Sequence, residues 1–398
     1  MITQSLPLSF RAIGAVCGIS SRKNKKDIAL IYSEKPCVSA GLFTTNLVKA
    51  APVLVSEANI KNNIRAVLVN SGCANACTGK DGLNDAKYSI RILGRSLGIK
   101  PENILIASTG VIGARLPMIN IEKGINILVK NIFRKSDDNG LSFAKAIMTT
   151  DTTHKTTVRK ITIGGKTVTI WGAVKGSGMI HPNMATMLGF ILTDAGISKN
   201  LLTKALRDSG KISFNSITVD GDTSTNDCVF ALANGAQGSP GINKIDGNYK
   251  KFYKAFEEVM LGLAKMIARD GEGATKFINI LVKAKTENDA KKIANTIATS
   301  PLVKTACFGN DPNWGRIIAA AGRAGVVFNP EKTSLVINGV KIFDKGRGIK
   351  ENSLKAKEVM KKKDINIALD TGSGKNTASV YTCDFSYDYI KINAEYHT

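Results

Sequence analysis

Two glycine-containing turns constrain this chain more than any other feature of its sequence. Asn338-Gly339 lies amid alternating β-branched and apolar residues over 333–343, the strongest short hairpin cue present. Gly164-Gly165 joins the strand-like segments 158–163 and 167–174 in the same manner. Each turn demands two antiparallel strands, and between the turns lies a segment that cannot be strand. Residues 249–269 form an amphipathic helix with Phe252, Phe256, Leu263 and Ile267 on one side. Strand pairs interleaved with long helices imply an α/β fold of mixed or antiparallel sheets layered with helices. A chain of 398 residues has room for two lobes or one large two-layer domain.

The remaining segments fit that frame. Strands are expected at 27–33, 37–44, 52–56 and 64–70, then at 104–108, 190–193 and 277–284. Helices are expected at 84–97, 118–133, 141–148 and near 199–209. Thr286 with Asp289 resembles a capping pair and opens a helix to about 299. Segments 365–369 and 378–385 read as a last hairpin. No internal repeat of solenoid period occurs.

Several function classes are disfavoured by composition. No run of about 18 apolar residues is present, so no membrane helix is expected. The N-terminus has no basic region leading into a clean apolar stretch, which points to the cytoplasm. The seven cysteines (17, 37, 73, 77, 228, 307 and 383) are irregularly spaced and read as reduced, mostly buried thiols. A net charge of +23 raises the question of nucleic acid, but the lysines are scattered and no binding motif accompanies them. No nucleic-acid partner is expected.

Conventional catalytic designs are poorly supplied. With three histidines, at 154, 181 and 397, a serine triad has few members to draw on. Carboxylates and histidines do not cluster at metal-ligand spacing, and there is no Walker or dinucleotide motif. One design needs none of these. A threonine at a chain N-terminus has its hydroxyl activated by its own α-amine, whose ordinary pKa is about 7.7–8.0. Around Thr186, the small Ala185 leaves its carbonyl open to attack by the threonine hydroxyl. Gly176, Gly178 and Pro182 allow a tight approach. The pair Ala185-Thr186 is thus a candidate self-cleavage point, although an Ala-Thr pair alone is ordinarily structural.

Whole motifs sharpen the reading. KGSGMIHPNMATML at 175–188 closely resembles the self-processing segment of the bifunctional glutamate N-acetyltransferase/ornithine acetyltransferase (ArgJ) family. NSGCANACTG at 70–79, ASTGVIG at 107–113, MTTDT at 148–152 and TVDGDTSTND at 218–227 follow the same family pattern. DGEGATK at 270–276, GNDPNWGR at 309–316 and the terminal YDYIKINAEYHT complete it, so the likeness spans essentially the whole chain.

The resemblance implies an N-terminal-nucleophile-like, self-processing architecture cut between Ala185 and Thr186. An α chain of residues 1–185 and a β chain of 186–398 result, assembled as an α2β2 heterotetramer. It also implies roles residue by residue. Thr186 is the nucleophile and, through its α-amine, the base. Thr109 and Gly110 form the oxyanion hole, where one donor is worth about 3–4 kcal/mol in other acyl-transfer enzymes. Thr152, Lys175, Glu272, Asn393 and Thr398 contact substrate. Lys175 suits an α-carboxylate and Glu272 an amino group. The implied reaction carries acetyl from N-acetylornithine to glutamate by a ping-pong route, without metal or bound cofactor. Acetyl-CoA is a further acetyl donor in bifunctional members. Two alternatives stand beside it: an N-terminal-nucleophile aminopeptidase or amidase, and a basic nucleic-acid-binding protein.

Overall fold

The computed structural model describes residues 5–134, 138–181 and 187–395. Ala185, Thr186, His397 and Thr398 lie outside the described residues.

Eight strands build the first sheet: β1 (Phe10–Ala15), β2 (Ile28–Phe43), β3 (Ile64–Cys73), β4 (Ile104–Val111), β5 (Lys155–Ile163), β6 (Lys166–Lys175), β7 (Leu188–Thr193) and β8 (Cys228–Ala233). Their order is β4-β3-β2-β8-β7-β6-β5, with β1 added against β2. The β3–β4 and β7–β8 pairs are parallel and the others antiparallel. Six strands build the second sheet: β9 (Phe277–Ala284), β10 (Ser334–Ile337), β11 (Val340–Asp344), β12 (Arg347–Gly348), β13 (Asp364–Asp370) and β14 (Asn376–Cys383). Its order is β12-β11-β10-β13-β9-β14.

Helices cover both sheets. They are α1 (Ala51–Asn59), α2 (Gly79–Leu97), α3 (Met118–Ile132), α4 (Leu141–Ala146), α5 (Lys199–Ile212) and α6 (Gly247–Arg269). Then come α7 (Glu287–Ala298), α8 (Pro301–Phe308), α9 (Trp314–Gly322), α10 (Ser353–Met360) and α11 (Tyr387–Glu395). Asp246 caps α6 by accepting the Tyr249 amide, and Thr286 caps α7 by accepting that of Asp289. The apolar side of α6 packs Phe252, Phe256, Leu263 and Ile267 into the core shared with β6, β7 and β8. Each such fully buried side chain contributes about 1.5–3 kcal/mol.

The centre of the first sheet is apolar on both faces because it separates two cores. Phe190 and Leu192 of β7 and Phe230 and Leu232 of β8 enter one. Ile191, Val229 and Ala231 enter the other, beneath α5 and α6.

Both glycine turns are hairpins: Ile163 pairs with Lys166, and Ile337 with Val340. Asn338 and Gly339 both adopt positive φ, as a tight hairpin turn requires. Three expectations are corrected. Segment 52–56 is helical, within α1; Pro52 stands in its first turn, where a missing amide hydrogen costs nothing. Segments 27–33 and 37–44 form one strand, β2, with an irregularity between Tyr32 and Cys37 where it exchanges β3 for β8. The last two strands are no hairpin, because β9 lies between them, parallel to β13 and antiparallel to β14. Strands β6 and β7, on either side of residue 185, are hydrogen-bonded neighbours in one sheet.

Candidate functional site

Parallel pairing of β3 with β4 lays two of the motifs side by side. Asn70 faces Ser108, Ser71 faces Thr109 and Gly72 faces Gly110, after which the register shifts. Gly110 has φ +132°, and a Cβ there would lie 2.3 Å from the Gly72 carbonyl carbon, so only glycine fits. Polar side chains lace the ends together. Ser108 donates to Asn70 Oδ1 at 2.6 Å. Asn226 donates to the carbonyls of Ser108 and Ala74 at 2.8 and 2.7 Å.

The last residue of β6 closes the opposite wall. Lys175 is 3% exposed, and its Nζ donates to Thr109 Oγ1 at 3.0 Å. Burial draws its pKa down, Asp151, Asp227 and Glu272 oppose that, and Lys155 adds to it. Behind Lys175 lies a buried charge cluster. Lys155 Nζ reaches Asp151 Oδ1 at 2.7 Å and Asp270 Oδ2 at 2.5 Å. Asp151 also accepts the amides of Gly176 and Thr149, at 2.8 and 3.0 Å. Burial pushes its pKa upward, but Lys155, Lys175 and the hydrogen bonds from the Gly176 amide and Lys155 outweigh that and hold it below the usual carboxylate range.

Asp270 ends α6, and the turn after it presents Glu272. The Glu272 amide donates to the Ser177 carbonyl at 2.9 Å, and its Oε2 accepts from Asn393 Nδ2 at 3.0 Å. A Cβ on Gly178 would come within 2.3 Å of that carboxylate, so glycine lets Glu272 lie against the chain. Thr109, Gly110, Lys175, Glu272 and Asn393 meet around one cavity of about 90 Å³, with Ser224 and Asn226 on its rim.

Two aspartates of a single motif hold the chain on either side of residues 182–186. Asp220 accepts the amides of Met179 and Ile180, at 2.5 and 2.9 Å. Asp227 accepts the amide of Met187 at 2.9 Å.

Thr152 is not among the residues that line this cavity. It is exposed, and its hydroxyl donates to the Asp270 carboxylate. His181 is half-buried beside Thr218, and burial lowers its pKa; His154 is exposed. Among the described residues no three His, Cys, Asp or Glu side chains group as a metal site, and no helix is long and apolar enough to cross a membrane. All seven cysteines are unpaired, and only Cys77 is exposed.

Sequence reasoning missed Asp151, Asp220 and Asp227 as organising groups, although each sits in a motif quoted above. Lys155 carried no signal at all among 55 lysines and arginines. A much larger cavity, about 1240 Å³, lies by Trp314 and the β11–β12 turn. It takes in Asp311 to Gly315 of GNDPNWGR but none of the expected catalytic or substrate residues. Size is outweighed there by the chemistry gathered at the smaller cavity.

A family model described as the ArgJ family matches residues 11–398. A protein of Symbiobacterium thermophilum, named arginine biosynthesis bifunctional protein ArgJ, is 46% identical over 395 residues, covering 98% of each chain. One of the same name from Thermotoga neapolitana is 45% identical over 401 residues, covering 99% of this chain and 100% of its own. The crystal structure of arginine biosynthesis bifunctional protein ArgJ from Bacillus halodurans is 40% identical with a TM-score of 0.52. It corresponds to 53% of this chain and 100% of that one.

Proposed function

The chain belongs to the ArgJ family, and on that footing we propose that it is an acetyltransferase of arginine biosynthesis. It moves acetyl from N-acetylornithine to glutamate through an acetyl group carried on Thr186. The observation that supports this best is the meeting of Thr109, Gly110, Lys175, Glu272 and Asn393 around one cavity. These residues come from four separate stretches of sequence.

Self-cleavage comes first in this reading. The Thr186 hydroxyl attacks the Ala185 carbonyl, the acyl group shifts from nitrogen to oxygen and so frees the α-amine, and water then cleaves the ester to release the Ala185 carboxylate and the Thr186 hydroxyl. Thr186 then attacks N-acetylornithine while its α-amine takes the hydroxyl proton. Thr109 Oγ and the Gly110 amide supply hydrogen bonds to the tetrahedral oxygen. Lys175 pairs with the substrate carboxylate and Glu272, steadied by Asn393, with its amino group. Ornithine leaves, and glutamate takes the acetyl group in the reverse sense. Thr152, which hydrogen-bonds Asp270, and Thr398 are assigned to substrate.

The cleaved chains assemble as α2β2 in the cytoplasm, use no metal or bound cofactor, and accept acetyl-CoA as a further donor. The test is an intact-mass spectrum of the purified protein under denaturing conditions. Two species divided between Ala185 and Thr186 are expected. A single full-length species that persists on long incubation leaves Thr186 without a free amine and removes the base from this mechanism.

A further inference from the structure

One buried hydroxyl of the cavity around Thr109 and Lys175 takes no part in the reaction described above. Ser224 lines that cavity and is 4% exposed. Two further hydroxyl residues of the lining, Thr149 and Thr150, are only half-buried. The turn that carries Ser224 fixes it closely. Its carbonyl accepts the Thr44 hydroxyl at 2.7 Å, and its amide is directed at the Asp227 carboxyl. With both backbone groups turned to these partners, the side chain is what Ser224 presents to the cavity. Its Oγ accepts the Asn226 amide at 3.1 Å, and the hydroxyl hydrogen has no acceptor among the described residues. The oxygen is therefore oriented while its donor stays free.

The same turn is tied to the groups beside which that donor acts. Asn226 Nδ2 donates to the carbonyl of Ser108, the residue before Thr109, at 2.8 Å. Lys175, which donates to Thr109, acts through its charge on Asp227, three residues beyond Ser224. A carboxylate taken out of water needs hydrogen bonds to more than one of its lone pairs. An ammonium has three donors, and that of Lys175 gives one to Thr109. The Thr109 hydroxyl and the Gly110 amide serve the acetyl oxygen, and Asn226 Nδ2 is spent on two carbonyls. Ser224 supplies the buried donor that is left.

We propose that the Ser224 hydroxyl is a substrate-binding group: with Lys175 it holds the carboxylate that N-acetylornithine and glutamate have in common. This rests on the acetyltransferase reading above. The α-carboxylate stands at the same distance from the acetyl-bearing nitrogen in both substrates, whereas their side-chain ends carry opposite charge. A neutral donor beside Lys175 therefore serves both half-reactions, and no bond to Ser224 forms or breaks in either.

Ser224→Ala removes the donor. Its effect is compared for N-acetylornithine and for N-acetylputrescine, which has the same chain without the carboxylate. With N-acetylornithine, kcat/KM should fall by about 10-fold or more, chiefly through KM, as for loss of a hydrogen bond to a charged group. KM for glutamate should rise by a similar factor. With N-acetylputrescine, kcat/KM should stay within about twofold of wild type, since the partner of the lost bond is already missing. Where N-acetylputrescine reacts too slowly to time, ornithine and putrescine as product inhibitors give the same comparison.

Equal losses with and without the carboxylate overturn the proposal, because a structural role through the Asn226 amide does not depend on that group. Unchanged KM for both N-acetylornithine and glutamate overturns it as well. A wild type that uses N-acetylputrescine as readily as N-acetylornithine overturns the carboxylate role of Ser224 and Lys175 together. A wild type that transfers no acetyl overturns the functional reading itself. If the alanine variant does not fold, Ser224→Cys, of similar shape and a weak donor, takes its place and is judged by the same comparison.

Discussion

Lys175 donates a hydrogen bond to the hydroxyl oxygen of Thr109 across 3.0 Å, although 66 positions separate them in sequence. An ammonium group has donors and no acceptor, so the contact occupies an oxygen lone pair and leaves the threonine's own hydrogen free. That hydrogen is available to the cavity that both residues line. In the proposed reaction Lys175 thus serves in two ways: it brings positive charge to the cavity, and it orients the Thr109 hydroxyl beside Gly110.

Replacing Thr109 by valine keeps the shape and removes the hydroxyl. Acetyl transfer in Thr109→Val should fall by about 100-fold or more in kcat, with a smaller change in KM, as for loss of one oxyanion donor. Thr109→Ser should recover most of the rate. Steady-state kinetics with N-acetylornithine and glutamate decide it. A valine variant of normal kcat would remove Thr109 from the oxyanion hole.

Lys155 is the next point of leverage. Its ammonium is 1% exposed and neutralises Asp151 and Asp270, which in turn hold Thr149, Gly176 and Thr152. Lys155→Met would leave Asp270 and Asp151 without their ion-pair partner, Asp151 keeping the charge of Lys175 nearby. Breaking a buried ion pair from one side costs about 3–5 kcal/mol. Denaturant unfolding should show a loss of this order. A loss below about 1 kcal/mol, in the range of an exposed pair, would mean that the cluster contributes little to folding.

Gly178 offers a change confined to the cavity. A methyl group there meets the Glu272 carboxylate, the mobile end of a side chain rather than backbone. Gly178→Ala should therefore fold, with the carboxylate displaced from Asn393. Misplacement by about 1 Å can cost up to about 100-fold, so a rise in KM of at least about tenfold is expected in kinetic assay. Unchanged KM would argue against Glu272 as the group that holds the substrate amine.

The fold was most legible where local pattern and local pairing coincide. The two hairpins show this, since their turns and their strand partners are adjacent in sequence. So does α6, whose apolar periodicity runs unbroken and whose capping Asp246 stands just ahead of it. Legibility failed where a partner is remote. Segments 365–369 and 378–385 look like neighbours until β9 takes the place between them. Pro52 with its valines reads as strand by composition and starts a helix by position. At the site, motifs pointed to Thr109, Lys175 and Glu272. The bond from Asp227 to Met187 spans 40 residues and has no local signature. The charge of Lys155 was hidden among the others until burial singled it out.

Asp220 makes the last case, through pH. Burial pushes its pKa up to about 6, even though the amides of Met179 and Ile180 and that of Asp222 pull the other way. The unfolded carboxyl ionises near pH 3.9, so between about pH 4 and 6 the folded state keeps a proton that the unfolded state has lost. Stability therefore falls as pH rises through that window and levels off above it. A rise of this size in the carboxyl pKa on folding corresponds to about 3 kcal/mol at most. Asp220→Asn cannot titrate, and its amide still offers one oxygen to the chain at Met179 and Ile180. The stability of wild type relative to this variant should decline by about 2–3 kcal/mol between pH 4 and 7 and then remain constant. Thermal or urea unfolding of both proteins across that range measures it. Parallel curves would show that Asp220 titrates as an ordinary carboxyl group. The holding of Met179 and Ile180 would then involve no cost of burying its charge.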